Sequence, residues 1–421
     1  MTHDMPDIVF ADSRGNIMDF PGLAMVGRSG DYLLPITASD IMPMPEGSQL
    51  YVIPGRSPVG MDRETGEIVI LSENPYDGSS PVHAVAVFLP AAHTQTYLAA
   101  WEKAQCAPGL PLFAYTAVGW SNGFVTTAFR TDASNRQDSG MFNHDLIREG
   151  IRKWKSGFPG NRLVEHLSHC ALGYGCPAAL NLFQRREEAP LPTSPACNAS
   201  CMGCISKQPC DSTPAPQNRI EFVPSPEEIA EIALKHIRTA DRPVVSFGQG
   251  CEGEPLMAAD VIMDAIKIIR TETSEGTINL NTNASLPHKV AELADAGLDS
   301  MRISMNSARE KTYLSYFRPS YKFDALIQSA LEMKSRNKFV SINLFVFPGI
   351  TDAPKEIEAL RRFIEEAGVD MIQWRNLNMD PDIYLETIDQ AFPSGIGIRK
   401  LIESMTLRRG YFNPYLGKGN L

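Results

Sequence analysis

Two textures divide the chain. Over residues 1–160, short apolar runs are cut by Gly, Pro and Asp. Ile8-Val9-Phe10 runs into Asp12-Ser13-Arg14-Gly15-Asn16, and Gln49-Leu50-Tyr51-Val52-Ile53 runs into Pro54-Gly55. The stretch Asp62-Arg63-Glu64-Thr65-Gly66-Glu67, followed by Ile68-Val69-Ile70-Leu71, has the pattern of a turn leading into a strand. These features predict a β-rich N-terminal domain over 1–160, interrupted by one helix over 91–105. Two helices are expected over 143–190, with 161–190 forming a helical bridge.

From residue 191 onward, apolar runs of strand length alternate with segments of helical period. Strands are expected at 243–247, 277–281, 301–305, 340–346 and 370–374, and helices at 257–270, 287–296, 323–336, 353–367 and 396–408. Repeated strand–helix units imply a parallel sheet with right-handed crossovers. The expected fold class is α/β: a partial (β/α)6 TIM-type barrel over 191–421 with a C-terminal helix, preceded by the β-rich domain. In such an architecture the chemistry sits at the C-terminal ends of the strands.

Composition narrows the class. Hydrophobic residues make up 43% and charged residues 21% of 421 residues, ordinary values for a folded chain with a large core. A net charge of −10 gives no electrostatic case for nucleic-acid binding. The start, Met1 to Asp7, has neither the basic nor the apolar stretch of a signal peptide, and no apolar run reaches the length of a membrane span. A cytoplasmic location is expected, where thiols stay reduced and clustered cysteines are more often metal ligands than disulfides.

Cysteine spacing then supplies candidate chemistry. Cys197, Cys201 and Cys204 form the pattern C-x3-C-x2-C. With 8 cysteines in 421 residues, independent placement would give this spacing about 0.003 times per chain. Three thiolates on so short a loop can hold three corners of a cube-shaped iron–sulfur cluster, leaving one iron open for chemistry. A zinc knuckle is the alternative, with Cys210 as its fourth ligand. The strand ends add polar groups. Gly248-Gln249-Gly250-Cys251-Glu252-Gly253-Glu254-Pro255 follows one strand, and its glycines let backbone approach a ligand. Asn281-Thr282-Asn283 ends the next, Arg302, Ser304 and Asn306-Ser307 follow on the third, and Arg375, Asn376 and Asn378 end the last. Together they would line a mouth for a small polar ligand.

On these marks, over roughly 190–380, the chain resembles the radical S-adenosylmethionine (radical SAM) enzymes. The resemblance implies that Cys197, Cys201 and Cys204 bind a [4Fe–4S] cluster whose open iron is chelated by SAM. It places Gly253, Glu254 and Pro255 at the methionine amino group. It also places Asn283, Arg302, Ser304 and Asn306 among the cofactor contacts, with Ser304 and Asn306 at the ribose or carboxylate. It further implies reductive cleavage of SAM to methionine and a 5′-deoxyadenosyl radical that abstracts a substrate hydrogen. An external low-potential donor such as flavodoxin or ferredoxin would supply the electron. Two departures stand out: Gly203 occupies a position where the family often has an aromatic residue, and Cys251 and Glu252 interrupt the glycine run.

A second iron–sulfur cluster using Cys170 and Cys176, with Cys210 or Cys251, is a further possibility of the sequence. No histidine is assigned a role, although His166 and His169 flank Cys170. The aromatic run from Tyr313 to Phe317 reads as a lid or a packed connection. The reading is a radical SAM enzyme, its β-rich domain a substrate-recognition or capping module. The rivals are a non-catalytic iron–sulfur electron-transfer protein and a zinc-stabilised binding module. Substrate, net reaction and oligomeric state are not legible.

Overall fold

The computed structural model describes residues 5–208, 214–388 and 394–417. The chain forms two compact units: Met1–Ala133 with Phe345–Ala359 and Trp374–Thr406, and Ser134–Leu344 with Leu360–Gln373 and Leu407–Leu421. Cys210 lies outside the described residues.

The first unit is built on a 12-stranded sheet. Its longest strand, Ile17–Ser29, pairs antiparallel with Asp7–Ala11, Tyr32–Pro35 and Arg56–Asp62. The expected turns are present. Asp12 accepts the backbone N–H groups of Arg14 and Asn16, and Asp62 those of Glu64 and Thr65, before the strand Ile68–Ile70. Val9, Ala11, Val85, Val87, Leu89 and Val118 form one buried cluster of this unit. The helix expected over 91–105 is not formed. His93–Gln95, Leu98–Ala99 and Trp101–Lys103 are short strands, paired with Ala128–Arg130, with Gly27 and Arg28, and with residues 56–58. Non-local ladders override the local apolar spacing there.

The later segments of this unit are tied in by polar contacts. Arg56, 1% exposed, meets Asp380 at 3.0 Å, while Asp382 accepts from Arg28 at 2.6 Å and from the Trp101 indole at 3.1 Å. Asn376, for which the sequence leaves open both a substrate contact and a structural role in the turn, clamps a strand: its Oδ1 accepts from Gln95 N at 2.9 Å and its Nδ2 donates to the His93 carbonyl at 3.1 Å.

The second unit carries the parallel sheet, a half-barrel of seven strands in sequential order. These are Arg186–Pro190, Asp241–Phe247, Thr277–Thr282, Ser300–Met305, Phe339–Val346, Met371–Asn376 and Arg408–Gly410. Every strand expected from 243 to 374 is present, as are the helices Ala259–Glu272, Pro287–Ala296, Asp324–Lys334 and Pro354–Ala367. The helix expected over 396–408 is shorter, Ile398–Ser404, because Arg408–Gly410 leaves it to pair with Met371–Gln373. Three helices occupy 143–190 rather than two: His144–Gly157, Arg162–Gly173 and Pro177–Gln184. A helix the pattern reading missed, Pro226–Thr239, opens on a capping box in which Ser225 and Glu228 satisfy each other's backbone N–H, with Pro226 in the first turn.

Alternation along these strands sorts apolar from polar. In Ser300–Met305, Met301, Ile303 and Met305 are buried, while Ser300, Arg302 and Ser304 share the other face. In Thr277–Thr282, Ile278 and Leu280 alternate with Asn279 and Asn281. The interior polar face is therefore set by the period of two.

Candidate functional site

The cysteine loop is held by a helix end. The last turn of an α-helix leaves carbonyls without intrahelical partners. Here the Phe317 and Tyr316 carbonyls at the end of Glu310–Phe317 accept from Ser200 N and Met202 N, each at 3.1 Å. Asn198 O accepts from Ser320 N at 3.0 Å, so the loop is pinned on both sides of Cys201. The aromatic run is thus a packed helix, with Tyr313 fully buried and stacked on Phe317 at 4.4 Å. The Tyr313 and Tyr321 hydroxyls meet at 2.7 Å, and burial pushes both phenols above their usual range, with Cys201 and Glu254 adding to the shift.

The glycine run is docked onto the segment entering this loop. Gly253 N donates to Ser194 O at 2.6 Å and Glu254 N to Ala196 O at 2.8 Å. A Cβ on Gly253 would overlap the Ala196 carbonyl, so only glycine fits. Gly248 has φ +77°, and a Cβ there would overlap the Asn281 carbonyl.

Glu252 acts as the clip. Its Oε2 accepts from Thr193 N (2.8 Å) and Ser194 N (2.9 Å), and its Oε1 from Gly248 N (2.6 Å) and Gln249 N (2.8 Å). Burial raises its carboxyl to about 7, opposed by these four donors. Glu254 is knitted in as well. It accepts from the Thr282 hydroxyl, from Asn283 N at 2.8 Å and from Leu256 N at 3.1 Å, and burial raises it to about 7 too. Three of roughly four acceptor positions on that carboxylate are used by the protein itself. Pro255 opens the short 3-10 turn that follows.

Other expected contacts fall in two groups. Asn283 donates to Asn198 Oδ1 at 2.7 Å, directly bracing the cysteine loop. Asn306 donates to the Thr312 carbonyl at 3.2 Å, and Ser304 stands half-buried one alternation before it. Arg302 donates to Gln373 Oε1 at 2.8 Å, and Gln373 donates to Asn413 Oδ1 at 2.9 Å. Asn413, wholly buried, donates in turn to Glu188 (2.8 Å), Asn281 (3.1 Å) and Ser246 (3.4 Å). Asn413 and Glu188 were missed because nothing in their local sequence marks them.

Arg219 was missed as well. Its Nη2 lies 3.4 Å from Cys204 Sγ, its Nε donates to Ser206 Oγ at 3.1 Å, and its Nη1 to Pro195 O at 3.4 Å. Burial pushes the Cys197 and Cys201 thiols up, and for Cys201 the neighbouring thiols and Glu254 add to it. Ligation there must therefore displace protons, and the Arg219 charge offsets part of the crowding. Among the described residues, the one group of three metal-type donors within 4.8 Å of one another is elsewhere. Three thiols on one short loop are a donor set that fits an iron–sulfur cluster.

A parallel half-barrel with this cysteine loop and docked glycine run is the plan of a radical SAM domain. Residues 191–364 match the radical SAM superfamily model, and that stretch is a radical SAM domain. A domain of this family implies a [4Fe–4S] cluster and reductive chemistry on SAM in general. Over 159 residues the chain is 24% identical to the GTP 3′,8-cyclase of Lactiplantibacillus plantarum, covering 37% of this chain and 44% of that protein. It spans less than half the length of this relative. Similar solved structures include anSMEcpe with bound AdoMet (16% identity, TM-score 0.37, covering 46% of this chain and 52% of that one). Another is a radical SAM methyltransferase from Sphaerobacter thermophilus (12% identity, TM-score 0.37, covering 53% and 65%). No helix among the described residues is long and apolar enough to cross a membrane.

Proposed function

We propose that this chain is a radical SAM enzyme in which Cys197, Cys201 and Cys204 hold the cluster and the polar strand ends hold SAM and a substrate. The observation that carries the reading is the cysteine loop, pinned by the 316–317 carbonyls and faced by the docked Gly253–Glu254 backbone. Bound there, the cluster would supply a low-potential electron to the SAM sulfonium, giving methionine and a hydrogen-abstracting 5′-deoxyadenosyl radical. The protein's part is positioning. Glu252 and Glu254 fix the glycine run, so its backbone presents a preset edge to the methionine amino group. Asn283 holds Asn198 and with it the loop. Ser304 and Asn306 are assigned to the ribose or carboxylate, and Arg302, anchored through Gln373, to the same interior face. The β-rich unit is assigned substrate recognition or capping, because the thiol cluster and the polar strand ends named here belong to the other unit. A cytoplasmic protein reduced by a flavodoxin or ferredoxin completes the reading.

The test uses anaerobically purified protein reconstituted with iron and sulfide. Iron is counted, and 5′-deoxyadenosine is assayed after adding dithionite and SAM. About four irons per chain, and deoxyadenosine that vanishes in Cys201→Ala, are expected. A full cluster with no SAM cleavage would instead support the electron-transfer reading and refute this one.

A further inference from the structure

Away from the cysteine loop, two further thiols, Cys170 and Cys251, are gathered with a histidine. His166 and Cys170 stand four residues apart on the helix Arg162–Gly173 and so share a face. Cys251, from the glycine run, comes against them. His166, Cys170 and Cys251 each offer a ligand atom, and these atoms lie within 4.8 Å of one another. Cys170 Sγ and His166 Nε2 are 3.6 Å apart, and the two cysteines are 1% and 4% exposed. Cys176 adjoins the group: its N–H donates to the Cys170 carbonyl at 3.0 Å, and its thiol lies close enough to bear electrostatically on both other cysteines.

Size and donor type identify what such a group would hold. Around one tetrahedral zinc, with sulfur at about 2.3 Å and nitrogen at about 2.0–2.1 Å, a sulfur and a nitrogen ligand stand about 3.6 Å apart and two sulfurs about 3.8 Å. The observed Cys170–His166 separation matches the first value. A four-iron cube spreads its ligands further. Soft thiolates with an imidazole nitrogen suit Zn²⁺.

We propose that His166, Cys170 and Cys251 bind one Zn²⁺ ion, with the fourth tetrahedral position left to a water or a further donor. Ligation releases the thiol protons to solvent and involves no change of oxidation state. The ion would staple the helix Arg162–Gly173 to the glycine run one residue before Glu252. It would therefore fix from behind the backbone that faces the cysteine loop. This explains why Cys251 interrupts that run, and it stands whether or not the loop carries a cluster.

The experiment measures zinc and iron per chain, by mass spectrometry of anaerobically purified full-length protein grown with zinc. Three proteins are compared: wild type, the triple variant Cys197→Ala/Cys201→Ala/Cys204→Ala, and the double variant Cys170→Ser/Cys251→Ser. About one zinc is expected in wild type and in the iron-free triple variant, falling about tenfold in the double variant. Cobalt substitution in the triple variant gives a readout independent of that fold loss: the expected spectrum has thiolate-to-cobalt charge transfer and tetrahedral visible bands. Absence of both zinc and the cobalt spectrum from the triple variant overturns the proposal. So does iron well above about four per chain in wild type, which would mean a second cluster. A Cys170–Cys251 disulfide in the purified protein overturns it too.

Discussion

Arg219 offers the sharpest test of how the chain tunes its cysteine loop. The guanidinium contacts Cys204 Sγ at 3.4 Å and bonds Ser206 Oγ and Pro195 O, so it clips both flanks of the loop and places a positive charge on one proposed ligand. A hydrogen bond to a charged group contributes about 1.5–3 kcal/mol. Reduction adds negative charge, so Arg219 favours the reduced form. Taking about half the bond as that preference gives about 0.75–1.5 kcal/mol, or about 30–65 mV for one electron. Arg219→Gln should lower the cluster midpoint by that amount, and Arg219→Lys by less, since it keeps the charge but loses the fork. The assay is a redox titration of reconstituted protein followed by electron paramagnetic resonance. Iron counted in parallel separates a shifted potential from a lost cluster. A midpoint that stays within about 10 mV of wild type, or rises, with iron retained would refute the reasoning.

Two further outcomes follow from buried groups. His236 is fully buried, donates from Nε2 to the Glu187 carbonyl at 2.8 Å and has no partner for Nδ1 among the described residues; burial lowers it to about 4. Its contribution is complete above the unfolded value of about 6.5 and is lost as pH falls towards about 4, about 3 kcal/mol in all. The stability difference between wild type and His236→Gln in urea should shrink by that much across the window, and a pH-independent difference would contradict it. Glu252→Gln turns one acceptor oxygen into a donor facing two backbone N–H groups, and should cost about 2–4 kcal/mol. Faster hydrogen exchange at Thr193, Ser194, Gly248 and Gln249 would report it, and unchanged protection there would exclude the clip.

Local pattern carried the second unit well. The strands around Val244, Leu280 and Leu344 carry continuous buried runs, as parallel strands covered on both faces should, while the one around Ile303 alternates buried apolar with half-buried polar residues. It failed at 91–105, where Tyr97, Leu98 and Trp101 have helix-like spacing but each short strand finds its partner far along the chain. It failed again at 396–408, where pairing with Met371–Gln373 draws the last residues out of the helix. Asn376 shows the same limit for function: a polar strand-end residue looks like a ligand group until a distant backbone takes both ends of its amide.

The sequence by itself determined the candidate donors and the resemblance to the radical SAM family. A thiol triplet, a glycine run and alternating strands are short-range patterns, and spacing alone fixes which donors one loop or one strand face presents. Only the tertiary structure decided what meets those donors. Arg219 reaches Cys204 across 15 residues, Asn413 reaches Asn281 across 132, and Cys251 closes on a helix more than seventy residues earlier. Such contacts depend on how strand ends converge in a curved sheet, where residues distant in sequence share a few ångströms and no local period records the meeting.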